Sequence, residues 1–180
     1  AQWGEEVTES VPPDLKALRG AFEAFEHLPE AALPAGLTAT LRPYQKVGIN
    51  WLAYVRSLGC GALLCDDMGL GKTLQVIATI AGKALIVAPT SVLPNWRREL
   101  EKFRPDLKVT LYHGAKRLLD DTADVTLTSY ALMRLDAPLL SGRTWDMLVL
   151  DEAQTIKNPS SRVTRAAYQI PATFRIAMSG

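Results

Sequence analysis

Cysteine and histidine are scarce: the chain has two of each in 180 residues. Cys60 and Cys65 flank an apolar run at a spacing that makes neither a zinc-ligand set nor a disulfide framework. Both read as small core residues of a protein kept in a reducing compartment. His27 and His113 are isolated, with no metal-ligand partner at useful spacing. No apolar run approaches ~18 residues, which excludes a membrane-spanning helix. The N-terminus is acidic and lacks the basic-then-apolar pattern of a secretory leader. The chain shows no internal repeat and no low-complexity segment. These absences leave a soluble, intracellular protein as the expectation.

What is present is enough apolar residue for one sizeable core, at 48% of the chain. The formal net charge is only +1, but it is unevenly spread. Residues 1–30 carry seven acids and two bases, a net charge of −5, and residues 31–180 carry +6. The main body is therefore mildly basic, which is compatible with a polyanionic partner without being diagnostic of one.

Residues 1–36 read as an acidic N-terminal extension and linker. Asp14 to Glu26 has helical spacing, with Leu15, Leu18, Phe22 and Phe25 on one face. Pro29, Pro34 and Gly36 follow as a linker. A second helix is expected to start at Pro43, a favoured first helical position, and to end at Gly59. Its apolar face is expected to be Val47, Trp51, Leu52 and Val55. From Gly61 onward, apolar runs at 61–65, 84–88, 108–112, 124–128, 146–150 and 173–178 alternate with helical stretches. This alternation predicts an α/β fold, a mostly parallel sheet with helices on both faces. Ligands of such sheets bind at the carboxyl ends of the strands.

Two segments with chemistry fall at such ends. Asp66-Asp67-Met68-Gly69-Leu70-Gly71-Lys72-Thr73 follows one apolar run and precedes a helix-like stretch from Leu74 to Ala81. Strand, glycine loop, Lys-Thr and helix is the setting a phosphate-binding loop requires. Gly69 and Gly71 let backbone N–H groups turn toward a phosphate, and the helix N-terminus adds its partial positive charge. Lys72 is expected on the β- and γ-phosphates and the Thr73 hydroxyl on Mg²⁺. The strict pattern places a glycine six residues before Lys72, where this chain has Asp66. The second segment is the run from Trp145 to Leu150, ending in Asp151-Glu152. An acid at that place supports the metal, the role expected of Asp151. Glu152 is then expected beside the γ-phosphate, orienting and deprotonating the attacking water.

With these residues in view, residues 37–180 resemble the first RecA-like lobe of superfamily-two helicase-like ATPases. Within that group they resemble most the Swi/Snf family of double-stranded DNA translocases. Leu41 to Leu52 resembles the family's adenine-recognising segment, which implies that Gln45 pairs with the adenine edge through its amide. Asp67-Met68-Gly69-Leu70-Gly71-Lys72-Thr73 resembles the family's phosphate loop, which carries an acid in place of the first glycine. Leu85 to Trp96 resembles a motif that faces the nucleic-acid backbone, which implies contacts from Pro89, Thr90, Ser91, Asn95 and Trp96. Thr126 to Tyr130 resembles a second backbone-contacting motif, with Thr128 and Ser129 as its contacts. Asp151-Glu152-Ala153-Gln154 resembles the family's acidic box in a Gln-ending variant, which points to a bacterial source. Met178-Ser179-Gly180 resembles the start of the motif that couples hydrolysis to lobe movement.

The resemblance implies an ATP- and Mg²⁺-dependent ATPase that moves on duplex DNA, partnered by a second RecA-like lobe. It implies a cytoplasmic location, or a nuclear one in a eukaryote. No arginine finger is recognisable here, and in the family that group comes from the second lobe. The lobe alone is therefore expected to hydrolyse ATP poorly. The strand-like end at Ala177-Met178-Ser179-Gly180 reads as an abrupt stop, as of a truncated chain. A strand-separating DNA or RNA helicase is the nearest alternative, and a nucleotide-gated protein-interaction module is a different class. Plain readings stand beside these residue by residue. Gln45 also reads as a surface helix residue and Trp96 as core. Thr90, Ser91, Thr128 and Ser129 also read as helix caps, and Arg97, Arg98, Lys102 and Arg104 as a solvated helix face.

Overall fold

The computed structural model describes residues 28–65 and 69–180. The expected helix over 14–26 lies outside the described residues, as do Asp66, Asp67 and Met68.

Six strands form one sheet in the order β1-β6-β5-β2-β4-β3. They are β1 (Ala62–Leu64), β2 (Ala84–Ala88), β3 (Val109–Leu111), β4 (Val125–Ser129), β5 (Trp145–Leu150) and β6 (Ala172–Met178). Every pairing is parallel. The helices between them are α1 (Pro43–Ser57), α2 (Lys72–Thr79), α3 (Leu93–Phe103), α4 (Tyr130–Leu135), α5 (Ala137–Ser141) and α6 (Arg162–Gln169). A short 3₁₀ turn occupies Ala153–Ile156.

The central apolar runs become strands buried on both faces. All five residues of β2 are buried, as are all five of β4. Successive residues of β2 serve opposite layers. Ala84, Ile86 and Ala88 pack with Leu52 of α1, Ile77 of α2 and Leu100 of α3. Leu85 and Val87 pack with Met133 of α4, Leu140 of α5 and Ala167 of α6. Each such fully buried Leu, Ile or Val contributes about 1.5–3 kcal/mol relative to exposure. Among the described residues, no helix is long and apolar enough to cross a membrane.

Helix α1 starts at Pro43, and Gly59 lies just beyond its end. Its buried face differs from the expected one. Gln45, Ile49, Leu52 and Val55 point inward, at the 3–4 residue spacing of one helical face, while Val47 is 59% exposed. The preceding linker packs on the lobe. The Ala31 N–H donates to Asn50 Oδ1, and the Thr38 N–H and hydroxyl donate to the carbonyls of Phe103 and Lys102.

Two more expectations change. Arg104 does not join the solvated face of α3: it is buried, pairing with Asp106 and donating to the Ile80 carbonyl. It is the C-cap residue, just beyond the last turn of the helix. Arg97 does remain on the exposed face, paired with Glu101. Of the two cysteines, Cys60 is half-buried and Cys65 is exposed at the end of β1, so neither is a fully buried core residue.

The register lines up the strand ends. Leu64 pairs with Met178, Ala177 with Leu150, Leu150 with Val87, and Ala88 with Ser129. The segments that follow β1, β6, β5, β2 and β4 therefore share one rim of the sheet. The RecA-like α/β architecture is the observed one.

Candidate nucleotide and nucleic-acid site

The glycine loop enters α2 at this rim. Gly69 and Gly71 have φ of 85° and 76°, the left-handed region. Gly71 is the N-cap of α2 and makes no side-chain cap bond. A glycine there brings no side chain of its own to the first amides, which suits an anion at a helix N-terminus. Gly71 is also under steric constraint. A Cβ there would lie 2.5 Å from Gln45 Nε2.

Gln45 is buried, 7% exposed. Its Oε1 accepts the Arg42 N–H at 3.0 Å, which closes the first turn of α1, and its Nε2 donates to the Leu70 carbonyl at 3.4 Å. The amide thus ties α1 to the phosphate-type loop. A primary amide has two donors and two lone pairs, so one donor and one lone pair remain for a ligand. An apolar groove lined by Tyr44, Val47, Trp51 and Leu70 opens alongside.

Lys72 and Thr73 are the first two residues of α2, both half-buried. The Thr73 hydroxyl makes no hydrogen bond with the described residues. The Lys72 charge acts on the Asp151 carboxylate and favours its ionised form. The loop and the acidic segment, about 80 residues apart in sequence, are therefore within electrostatic reach.

Asp151 follows β5, with its N–H bonded to the Val87 carbonyl at 2.8 Å. Burial pushes its carboxyl above the usual range. Hydrogen bonds from the Trp96 indole N–H to Oδ2 at 2.8 Å and from the Glu152 N–H to Oδ1 at 2.9 Å pull it back. The Tyr130 hydroxyl donates to the Asp151 carbonyl at 2.7 Å. Burial first, then the charges of Asp151 and Glu152, hold that hydroxyl well above its ordinary pKa, so it stays a donor.

Glu152 has φ 51° and ψ 53°, the one non-glycine residue with positive φ among those described. Such a conformation costs of order 1–3 kcal/mol and persists where the surroundings enforce it. It turns the chain sharply off β5 into the 3₁₀ turn. Gln154 Nε2 then donates to Glu152 Oε2 at 2.6 Å, and the Ser179 hydroxyl donates to Gln154 Oε1 at 3.0 Å. The acidic box and the segment after β6 are joined through Gln154. Sequence alone assigned no role to Tyr130, Gln154 or Ser179. Their positions inside the family-like motifs were the available signal.

The residues expected at nucleic acid divide into two groups. Pro89 is half-buried, Thr90 and Ser91 are exposed, and Asn95 is half-buried, all between β2 and the first turn of α3. Asn95 Nδ2 donates to Glu99, and its Oδ1 accepts from Arg98. Neither Thr90 nor Ser91 caps α3, whose N-cap is Val92 with no side-chain bond. The other group is inside. Trp96 is fully buried against the sheet, so its ring does not reach the surface where a backbone would lie. The Thr128 hydroxyl is buried and donates to the Tyr112 carbonyl. Ser129 is buried and accepts the Leu132 N–H as the N-cap of α4. The reason is positional: residues 128 and 129 are still within β4, and Trp96 lies on the inner face of α3.

Comparison with known proteins agrees with this arrangement. Residues 44–180 match the model of the SNF2-related domain. The chain is 46% identical over 182 aligned positions to YwqA of Bacillus subtilis (strain 168), named for ATP-dependent helicase/translocase activity. That match covers 92% of this chain and 20% of YwqA. Against the TATA-binding protein-associated factor MOT1 of Saccharomyces cerevisiae, identity is 36%, over 82% of this chain and 9% of MOT1. The Sulfolobus solfataricus SWI2/SNF2 ATPase core in complex with dsDNA superposes with a TM-score of 0.75 at 40% identity. That alignment covers 86% of this chain and 34% of the Sulfolobus chain. This chain thus spans a fifth or less of the length of these two curated relatives. The match spans Gln45, the glycine loop and the acidic pair, and the chain belongs to the SNF2-related domain family.

Proposed function

We propose that this lobe binds ATP with Mg²⁺ and, acting with a second RecA-like lobe, couples hydrolysis to translocation on double-stranded DNA. The observation that carries the reading is the shared rim: Lys72 at the start of α2, behind its glycine N-cap, with its charge acting on Asp151 at the end of β5.

The residues present fit the cofactors. Thr73 and Asp151 offer a hydroxyl and a carboxylate, the hard oxygen donors that Mg²⁺ takes. No group of three or more His, Cys, Asp or Glu able to hold a metal occurs among the described residues. When bound, the ion supplies charge neutralisation at the phosphates. The chain's own residues do the rest. The α2 amides and Lys72 hold the phosphates, and Gln45 offers its free donor and lone pair to a purine edge. Glu152, held by Gln154, accepts a proton from water at its carboxylate. Thr90 and Ser91, exposed, with the half-buried Pro89 and Asn95 beside them, offer contacts for a phosphodiester backbone. The domains proposed are an acidic extension over 1–36 and the ATPase lobe over 37–180, with a cytoplasmic location.

The relatives support the nucleic-acid part. YwqA is named for helicase/translocase activity, and the Sulfolobus core is described with dsDNA. The test is ATP hydrolysis by the full-length protein with duplex DNA, single-stranded DNA or RNA added. Strong stimulation by duplex alone is expected. Stimulation only by RNA or single strands makes it a strand-separating helicase, and nucleotide binding without stimulation makes it an interaction module.

A further inference from the structure

Asp151 is held from two sides by side chains that touch no candidate ligand. The Trp96 indole N–H reaches its carboxylate from α3, 55 residues earlier in the chain. The Tyr130 hydroxyl reaches its main-chain carbonyl from the first residue of α4. Both rings are buried, and each lends its single polar hydrogen to the same residue. The contrast with Trp145 is informative. That indole N–H, also buried, donates to the Leu140 carbonyl, the ordinary way to satisfy a core tryptophan. Trp96 uses a carboxylate instead.

The two bonds constrain different things. The Trp96 bond fixes the carboxylate, leaving one face of Oδ2 for another partner. The Tyr130 bond fixes the peptide that joins Asp151 to Glu152, directly ahead of the left-handed Glu152 backbone. One sets where the metal-side oxygens point, and the other sets where the Glu152 side chain leaves the chain. Hydrogen-bonded partners of metal-holding carboxylates orient them and tune their affinity.

We propose that Trp96 and Tyr130 are positioning residues with separable tasks. Trp96 sets the Asp151 carboxylate for the metal–nucleotide complex, and Tyr130 sets the Asp151–Glu152 peptide for the hydrolytic step. The proposal rests on the reading of Asp151 as the metal-side acid and Glu152 as the water-side acid.

The experiment measures binding of a fluorescent ATP analogue to the full-length protein, with and without Mg²⁺, beside duplex-stimulated turnover. Trp96→Phe keeps most of the buried ring and removes the N–H. It is expected to raise the Mg²⁺ needed for half-maximal binding by roughly 10–100-fold, with metal-free nucleotide binding unchanged. Tyr130→Phe removes one oxygen. It is expected to leave the Mg²⁺ requirement and the KM for ATP unchanged and to lower kcat by about tenfold or more, as a misdirected reacting group does. Asp151→Asn is the control for the underlying reading. If it leaves the Mg²⁺ requirement unchanged, the metal role of Asp151 falls. If it shifts that requirement and a folded Trp96→Phe does not, the Trp96 proposal alone is overturned. Equal weakening of metal-free and metal-dependent binding also overturns it. Thermal melts establish folding, and should Trp96→Phe fail to fold, the kcat of Tyr130→Phe decides: an unchanged value overturns the proposal.

Discussion

Replacing Gly71 with alanine tests the junction between the glycine loop and α1. Gly71 sits at φ 76°, where an L-residue pays roughly 1–2 kcal/mol. Its new Cβ would also stand 2.5 Å from Gln45 Nε2, closer than side chains tolerate. Gln45 is buried and held at 3.0 Å to the Arg42 N–H, so it moves only by leaving its rotamer or losing a bond. Either costs about 1 kcal/mol. Gly59 provides the comparison, with φ 69° and no atom within 4 Å of where a methyl would stand. Gly59→Ala therefore carries the backbone cost alone, and Gly71→Ala should exceed it by about 1–2 kcal/mol. In a domain of this size that excess is roughly 3–6 °C in Tm. Paired thermal melts measure it, and a Gln45→Ala background separates the two contributions. Removing Gln45 removes the collision, so Gly71→Ala should cost less there than in the parent protein. Equal Tm losses for the two glycine variants, or no change on the Gln45→Ala background, would refute the contact as the cause.

Two further outcomes are expected. In the full-length protein, Lys72→Ala and Glu152→Gln should each lower duplex-stimulated ATP turnover by roughly 10²-fold or more; near-normal turnover in either variant ends the role given to that residue. The second concerns Arg117, which donates Nε and Nη2 to Asp136 at 2.6 and 3.0 Å while Tyr112 donates its hydroxyl to the same carboxylate. The guanidinium bond, chiefly, holds the Asp136 carboxyl below the ordinary aspartate value of 3.8. A depressed carboxyl pKa stabilises the fold above the unfolded value, and that contribution is lost as pH falls through the folded one. Arg117→Met should therefore lower Tm near neutral pH, with the gap closing below about pH 4. A gap that stays constant down to about pH 2 would show that the ion pair is not its source.

Legibility in the sequence followed the range of the interaction. The ends of α1 were readable because Pro43 and Gly59 act on their own turn of backbone. The central strands β2, β4 and β5 were readable because residues buried on both faces leave nearly unbroken apolar runs, while β6 shows the alternation of a half-buried strand. The glycine loop and the acidic pair were readable because their chemistry is local in sequence. Val47 was expected on the buried face of α1 and is not there, because the pattern of apolar residues alone could not tell that Gln45 would turn inward to meet Leu70. Arg104 was expected in solvent, because nothing adjacent to it announces the Ile80 carbonyl, 24 residues away.

The sequence by itself determined the element types, the parallel sheet and the identities of the groups that gather at its rim. Those depend on periodicity, turn chemistry and residue type, which each short window carries. Tertiary structure decided which of these groups face a ligand and which face the protein. Of the two readings open for each, Trp96 took the core one, as a buried donor to Asp151, and Ser129 the helix cap, while Gln154 became the bridge between Glu152 and Ser179. The Ser129 cap is local to its own turn, but the Trp96 and Ser179 bonds span 55 and 25 residues and exist only once β2, β5 and β6 lie side by side, so no local pattern could encode them.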